Sequence, residues 1–337
     1  MAVDLKDTAF TEKLTYATFG CNAFKASPAT PDRLTPQVVI NRNGASSADL
    51  VAPDGKKIRY WTFIDPTKSL KPSYPAPTMR VRQGQIVHTR FSAGKGPHTL
   101  HHHGINPSTA NDGVGHVSFE VNGSYTYQWQ PHTAGTFFYH CHRNTVFHFE
   151  MGMFGLLIVD PPEGPGRVFQ NGPAYDVEKV WVLDDMDPRW HAIDEHDAGM
   201  CGMDVGFNRF EPKYFLLSGV FNNRTTTDAR AVVTARLGQR ILIRLLNASY
   251  SVARVTLPCE ATVVGADGLG LGVYPWTSPY TIPANTPFEL SSAQRLDLIL
   301  TPPSRGTFTA RMEFRQWITG QIQNNGAGVV QTRIVVT

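Results

Sequence analysis

The chain has 337 residues, 41% hydrophobic and 18% charged, with a formal net charge of +3, enough for one large or two ordinary soluble domains. The weak positive charge is scattered, which argues against nucleic acid as a partner because no clustered basic face exists. No run of about 18 apolar residues occurs, so no membrane-spanning helix is expected.

The first residues, Met1 to Phe10, lack a basic start followed by an apolar stretch. The expectation is therefore a cytosolic protein, or a secreted or periplasmic one whose signal was removed, and the compartment stays open. The four cysteines, Cys21, Cys141, Cys201 and Cys259, leave an odd number for disulfides if one is a metal ligand. A Cys21–Cys201 bridge is one option.

Further along, strand-like runs recur: Gln85–Phe91, Gly135–Tyr139, Phe154–Val159 and Arg240–Leu246. Asp112-Gly113, Asn122-Gly123, Pro161-Pro162 and Asp267-Gly268 separate them as turns. Long amphipathic helical patterns are missing, so the class expected is all-β, built as sandwiches or barrels. The unit repeats. Residues 81–90, with Gly84, Gln85 and Arg90, align with residues 235–244, with Gly238, Gln239 and Arg244. Gly135-Thr-Phe aligns with Gly306-Thr-Phe, and each copy ends in an apolar strand. Two domains follow, 1–165 and 166–337. The stretch from about 166 to 213 connects them, and it is long enough that part of it should pack on a domain.

Of 12 histidines, six fall in two clusters: His98-Thr-Leu-His-His-His103 and His140-Cys-His142, the latter followed by His148 and Met153. Strand alternation puts His101 and His103 on one face, and His140 and His142 likewise, with Cys141 pointing the other way. His98 has the parity opposite to His101 and His103. Two sites back to back follow. One gathers His98, Cys141, His148 and Met153, a two-histidine, one-thiolate set with a weak thioether, which is the composition of a type 1 copper electron-transfer site. The other gathers His101, His103, His140 and His142, an all-imidazole set suited to copper that binds oxygen or small anions. Zinc is the rival metal, but a closed zinc site has no use for Met153. Cys141 lies between His140 and His142, so a short covalent path joins the two sites. His102 is expected near the rim of the thiolate site, and His88, His116 and His132 at the surface or in turns. Met200-Cys-Gly-Met203 reads as a packed loop.

At these residues the chain resembles the multicopper oxidases. His98-Thr-Leu-His-His-His-Gly104 is similar to their H-x-x-H-x-H-G motif. His140-Cys-His with His148 and Met153 is similar to their H-C-H motif, and Arg244-Leu-Leu-Asn-Ala248 to a stretch of their second domains. The resemblance implies two cupredoxin-like domains in tandem. It implies a type 1 copper on His98, Cys141, His148 and Met153, a type 2 ligand in His101, and type 3 ligands in His103, His140 and His142. It also implies a small-molecule or metal-ion reducing substrate, dioxygen as acceptor, Asp112 as a carboxylate assisting proton delivery, and a homotrimer as in two-domain relatives. Asp112 in its Asn-Asp-Gly run reads equally as a plain turn residue.

The departure lies in the second domain. A trinuclear cluster needs four His-x-His pairs, and this chain has two. Domain two has none, and only His191 and His196 in the connection could add to the imidazole set. The chain would then be an oxidase with a reduced second site, or a type 1 electron-transfer protein, or a copper nitrite reductase. For the last, the spacing of His98 and His103 fits, but the second-domain ligand and the catalytic histidine have no counterpart.

Overall fold

The computed structural model describes residues 25–26, 35–114, 119–198 and 203–337. The fold is all-β, as the turn-punctuated runs suggest. Among the described residues the α-helices are short: α1 (Thr109–Asp112), α2 (Thr145–Glu150) and α3 (Glu195–Ala198).

In the first half, one sheet has the order β3 (Lys57–Ile64), β2 (Val38–Val51), β5 (Val87–Ser92), β8 (Ser124–Trp129). The facing sheet has the order β4 (Ala76–Arg82), β10 (Phe154–Asp160), β9 (Gly135–His140), β6 (His101–His103). A short parallel pair, β1 (Lys25–Ala26) with β7 (Glu120–Val121), accompanies them. Phe63, Val87, Phe91, Tyr127, Phe137, Tyr139 and Leu157 fill the space between the sheets. This is the alternation that makes one face of each strand apolar.

The second half repeats the plan. One sheet runs β13 (Val220–Phe221), β12 (Tyr214–Leu217), β11 (Val177–Met186), β15 (Ile241–Asn247), β21 (Arg295–Leu300), β17 (Ala261–Ala266), β18 (Leu269–Gly270), with β19 (Tyr280–Ile282) also on β17. The other runs β14 (Val233–Ala235), β23 (Val329–Val336), β22 (Gly306–Arg315), β16 (Val252–Thr256), β20 (Pro287–Leu290). The pairing senses match as well. β2 is parallel to β5 and β5 antiparallel to β8, just as β11 is to β15 and β15 to β21. β4 is parallel to β10, which leads antiparallel to β9 and β6, just as β14 is to β23, β22 and β16.

The Gly-Gln repeat is one turn built twice. Gln85 Oε1 accepts from Arg82 N and Gln239 Oε1 from Arg236 N, both at 2.7 Å. Gly84 and Gly238 take the left-handed φ values of 80° and 87° that the turn requires.

All of β9 is buried. Phe137 and Tyr139 face the first half's interior, while Phe138 faces outward into a second cluster with Val182, Leu216 and Leu246 of the second half. Polar groups cross the same junction. Arg244 reaches Glu178 (2.6 Å), the Thr136 hydroxyl (3.1 Å) and Asp297 (3.5 Å), and Glu178 also holds Arg80 of β4.

The stretch that reads as a connection contains β11, a central strand of the second half's sheet. After Met186 the chain leaves that sheet and folds back on the first half. There Ile193, Ala198, Val205 and Phe207 pack with Phe147, Met151 and Trp61. Cys21, Cys201, His116 and most of Met200–Met203 lie outside the described residues. Among the described residues no helix is long and apolar enough to cross a membrane.

Candidate metal centre

β9 ends at His140, and the strand pair it forms with β6 sets His101 opposite His140. Alternation along β9 then turns Cys141 inward and the flanking imidazoles outward. Asn144, in left-handed conformation, starts α2, whose last turn carries His148. Cys141 N donates to Met153 O, and Met153 N to His148 O, both at 3.0 Å. The loop from Cys141 to Met153 is therefore closed by its own backbone.

The inward site is compact. Cys141 Sγ lies 3.2 Å from His148 Nδ1 and 3.6 Å from His98 Nδ1, and the two Nδ1 atoms are 3.3 Å apart. All three side chains, and Met153, are fully or almost fully buried. His98 Nε2 is 3.1 Å from the carbonyl of Lys95. That carbonyl can only accept, so Nε2 carries the proton and Nδ1 keeps its lone pair toward Cys141. Burial holds His98 down to about 4, helped by the Arg143 charge, and pushes His148 well below its ordinary value. Burial also raises the Cys141 thiol to about 11. The imidazoles are thus neutral at pH 7, and a cation binding here would displace the thiol proton.

The outward site gathers ring nitrogens of His101, His103 and His140 within 4.8 Å of one another. His142 joins them, its ring 5.3 Å from that of His101 and 5.5 Å from that of His140. His101 Nδ1 donates to Asp112 O (2.7 Å), and His140 Nδ1 to Cys141 O (3.0 Å). Each of these rings therefore offers its Nε2 lone pair to the cluster. Burial, then the Arg295 charge, brings His103 to about 3. Burial likewise pushes His140 well below its ordinary value, with the neighbouring His101 adding to it.

Asp112 meets His101 through its backbone carbonyl and, at 3.3 Å, its carboxylate. It ends α1 against Gly113 at φ 69°. A Cβ on Gly113 would stand 2.1 Å from Leu100 O, so only glycine lets this turn press against the His101 strand.

Several histidines lie elsewhere than the sequence suggests. His102 is not at a rim. It is completely buried, its ring tilted against Trp129 at 4.6 Å and bonded through Nε2 to Thr89 Oγ1. Its inward parity points it into the sandwich interior. His88 is buried on β5 beside Gln128 rather than at the surface. His191 does not join the imidazole set: its Nδ1 donates to Arg59 O, and its Nε2 lies 3.4 Å from Glu150. His196 is exposed next to Asp197.

Two residues near the thiolate site escape the sequence reading. Glu195, on the returning segment, lies 3.7 Å from His148 Nε2, which has no hydrogen-bond partner although buried. Arg143 joins Glu195 (2.7 Å) to Glu120 (3.3 Å). A carboxylate 47 positions downstream of its neighbour gives no local signal.

The sequence profile of the multicopper oxidases matches residues 35–164. A copper-containing nitrite reductase of Neisseria meningitidis is 29% identical over 143 residues, which is 42% of this chain and 35% of the relative. An L-ascorbate oxidase of Cucumis sativus is 31% identical over 156 residues, 43% of this chain and 24% of the relative. The matched stretch thus spans about a third or less of these relatives. Among solved structures, a blue copper oxidase from Nitrosomonas europaea superposes with a TM-score of 0.68 at 20% identity, covering 89% of this chain and 86% of its own. A copper nitrite reductase from Nitrosomonas europaea superposes at 0.61 and 19% identity, covering 89% and 93%.

Proposed function

The chain belongs to the multicopper oxidase family through residues 35–164, and from that premise we propose that it is a copper-dependent oxidoreductase whose acceptor is dioxygen. The observation that carries this reading is the pair of donor sets set back to back at the end of β9, one around Cys141 and one around His140.

The donors fit the metal. Three convergent atoms, one sulfur and two nitrogens, with Met153 beside them, are a soft and borderline set that copper accepts in both its common oxidation states. Copper held at the two sites would supply one-electron redox chemistry between a reducing substrate and dioxygen. Under this reading His98, Cys141, His148 and Met153 hold the first ion, and His101, His103, His140 and His142 the second centre. Lys95 O, Cys141 O and Asp112 O fix the ring tautomers that leave the correct nitrogen free. Cys141 shares a peptide bond with each of His140 and His142, so the chain itself is the link between the centres. Glu195, paired with Arg143, stands at the outer edge of His148. The Asp112 carboxylate, 3.3 Å from His101, would pass a proton.

Copper analysis, optical and paramagnetic-resonance spectra, and oxygen uptake with phenols, aromatic amines or Cu(I) test the proposal. A strong thiolate-to-copper absorption and donor-dependent oxygen uptake are expected. A copper-loaded protein that stays colourless when oxidised would refute it.

A second reading, nitrite reduction, is favoured by the likeness to the Neisseria enzyme. Nitrite consumption with a chemical reductant, in the absence of oxygen uptake, would select it. A type 1 electron-transfer protein would instead bind one copper and consume neither.

A further inference from the structure

The outward site takes all its imidazoles from one half of the chain. No histidine occurs after His196, so neither this chain's second half nor that of another copy can face it with further His-x-His pairs.

The repeated fold shows what stands in their stead. β16 and β22 correspond by pairing to β6 and β9. Counted from Gly135 and Gly306, which pair alike with the last strand of each half, Arg311 stands where β9 has His140, opposite Thr256 of β16, and Glu313 stands at the place of His142. Glu313 accepts from Arg311 at 3.1 Å and from Arg315, and Arg254 donates to Glu289 at 2.6 Å. These are mutually satisfied ion pairs, and their guanidiniums repel a metal cation.

A further guanidinium borders the imidazole set itself. Arg295 of β21 is 4% exposed; its Nε donates to Thr136 O and its Nη1 to Ala293 O, and it lies 3.1 Å from Asp267. It lies over the Phe138 ring, 5.5 Å from the centroid, and the same ring stacks on His103 at 4.2 Å. Gly104, directly after His103, makes room: a Cβ there would stand 2.9 Å from Arg295 Nη2. Guanidinium does not lose its proton in proteins. A fixed positive charge at this place raises the cost of adding cations beside His103.

We propose that the imidazole site of this chain is a one-domain copper site of at most two ions, bordered by Arg295, so that the loaded protein holds two or three coppers per chain rather than the four of a complete type 1 plus trinuclear set. The inference rests on the reading that the first half binds copper at both donor sets.

The test is metal counting on the intact 337-residue chain. The protein is loaded with copper, freed of loose metal, and measured by elemental analysis together with native mass spectrometry, which also reports the oligomeric state. Two or three coppers per chain are expected in every oligomer observed, with one fewer in Cys141→Ser and none but the thiolate-site copper in a His101→Ala/His140→Ala variant. Four per chain would overturn the inference and leave the oxidase reading intact. One per chain, lost with Cys141→Ser, would overturn both and leave an electron-transfer protein. If the variants fail to fold, the wild-type count decides alone.

Discussion

Cys141 Sγ and His148 Nδ1 stand 3.2 Å apart with the intervening loop closed on its own backbone. The fold of this loop itself brings the two atoms together. Replacing Cys141 by Ser keeps the volume and removes the thiolate. The visible absorption of the copper-loaded, oxidised protein is expected to vanish. Stability of the metal-free protein should fall by no more than about 1–3 kcal/mol, the range for one buried polar group left poorly paired. Absorption spectra and urea unfolding of the same preparation check both; colour that survives the change removes Cys141 from the site.

Gly113→Ala tests the turn that supports His101. The residue sits at φ 69° with a Cβ position 2.1 Å from Leu100 O. Left-handed backbone alone costs about 1–2 kcal/mol for a residue other than glycine, and the clash adds to it. A lower melting temperature is expected, with copper lost from the imidazole site and kept at the thiolate site. Unchanged copper content at both sites would show that Asp112 O does not position His101.

The junction of the two halves makes a separate prediction. Arg244 has no side-chain exposure, and Asp297, within 3.5 Å of it, accepts the Thr136 hydroxyl as well. Asp297→Leu leaves a buried guanidinium short of its partner and should cost about 3–5 kcal/mol. Arg244→Met in the same chain should recover most of that. Chemical unfolding of the two single variants and the double variant forms a cycle whose coupling energy reports the pair. Additive losses would contradict it.

The pH dependence of stability follows from three acids buried behind the β11 end. Burial lifts Glu150 and Asp184 well above the ordinary carboxylate range and Asp185 to about 7, although the Ser251 hydroxyl and Tyr250 N oppose this for Asp185. An acid with a raised value in the fold favours folding while protonated. That contribution is complete below about pH 4 and is lost as the pH climbs through about 7. Asp185→Asn keeps an acceptor for Tyr250 N, turns its amide nitrogen to Ser251 Oγ as a donor, and abolishes the titration. At about 1.36 kcal/mol per pH unit, the variant should gain up to about 4 kcal/mol at pH 8 and nothing at pH 4. Melting temperatures across that range measure the difference; parallel curves for the two proteins would rule it out.

Much of this architecture is legible in the chain because the strands alternate and the turns are punctuated by glycine. The Gly-Gln repeat announces two equivalent turns, and the structure builds them with the same hydrogen bond. The parity of Cys141 against His140 and His142 foretells two donor sets on opposite faces, and the atoms converge that way. What parity cannot tell is what fills the space a side chain enters. His102 points inward as read, and Trp129 and Thr89 occupy the place where a rim was expected. β11 escapes notice because Asp184 and Asp185 break its apolar run. They are buried, with Tyr74 and Ser251 as hydrogen-bond partners. Glu195 reaches His148 only because the chain doubles back, an event with no short-range signature.

That doubling back bears on whether the first half can be cut loose. The chain crosses into the second half's sheet at β11 before it returns to shield Phe147, Met151 and Trp61. A truncation after residue 176 would retain every candidate donor and lose this apolar cover, along with Glu195 and the carbonyl of Ala198 that holds Asn144. The excised fragment would show water a bare aromatic flank beside His148. The two halves are therefore interleaved along the chain, and neither is a cassette that can be moved whole into another protein.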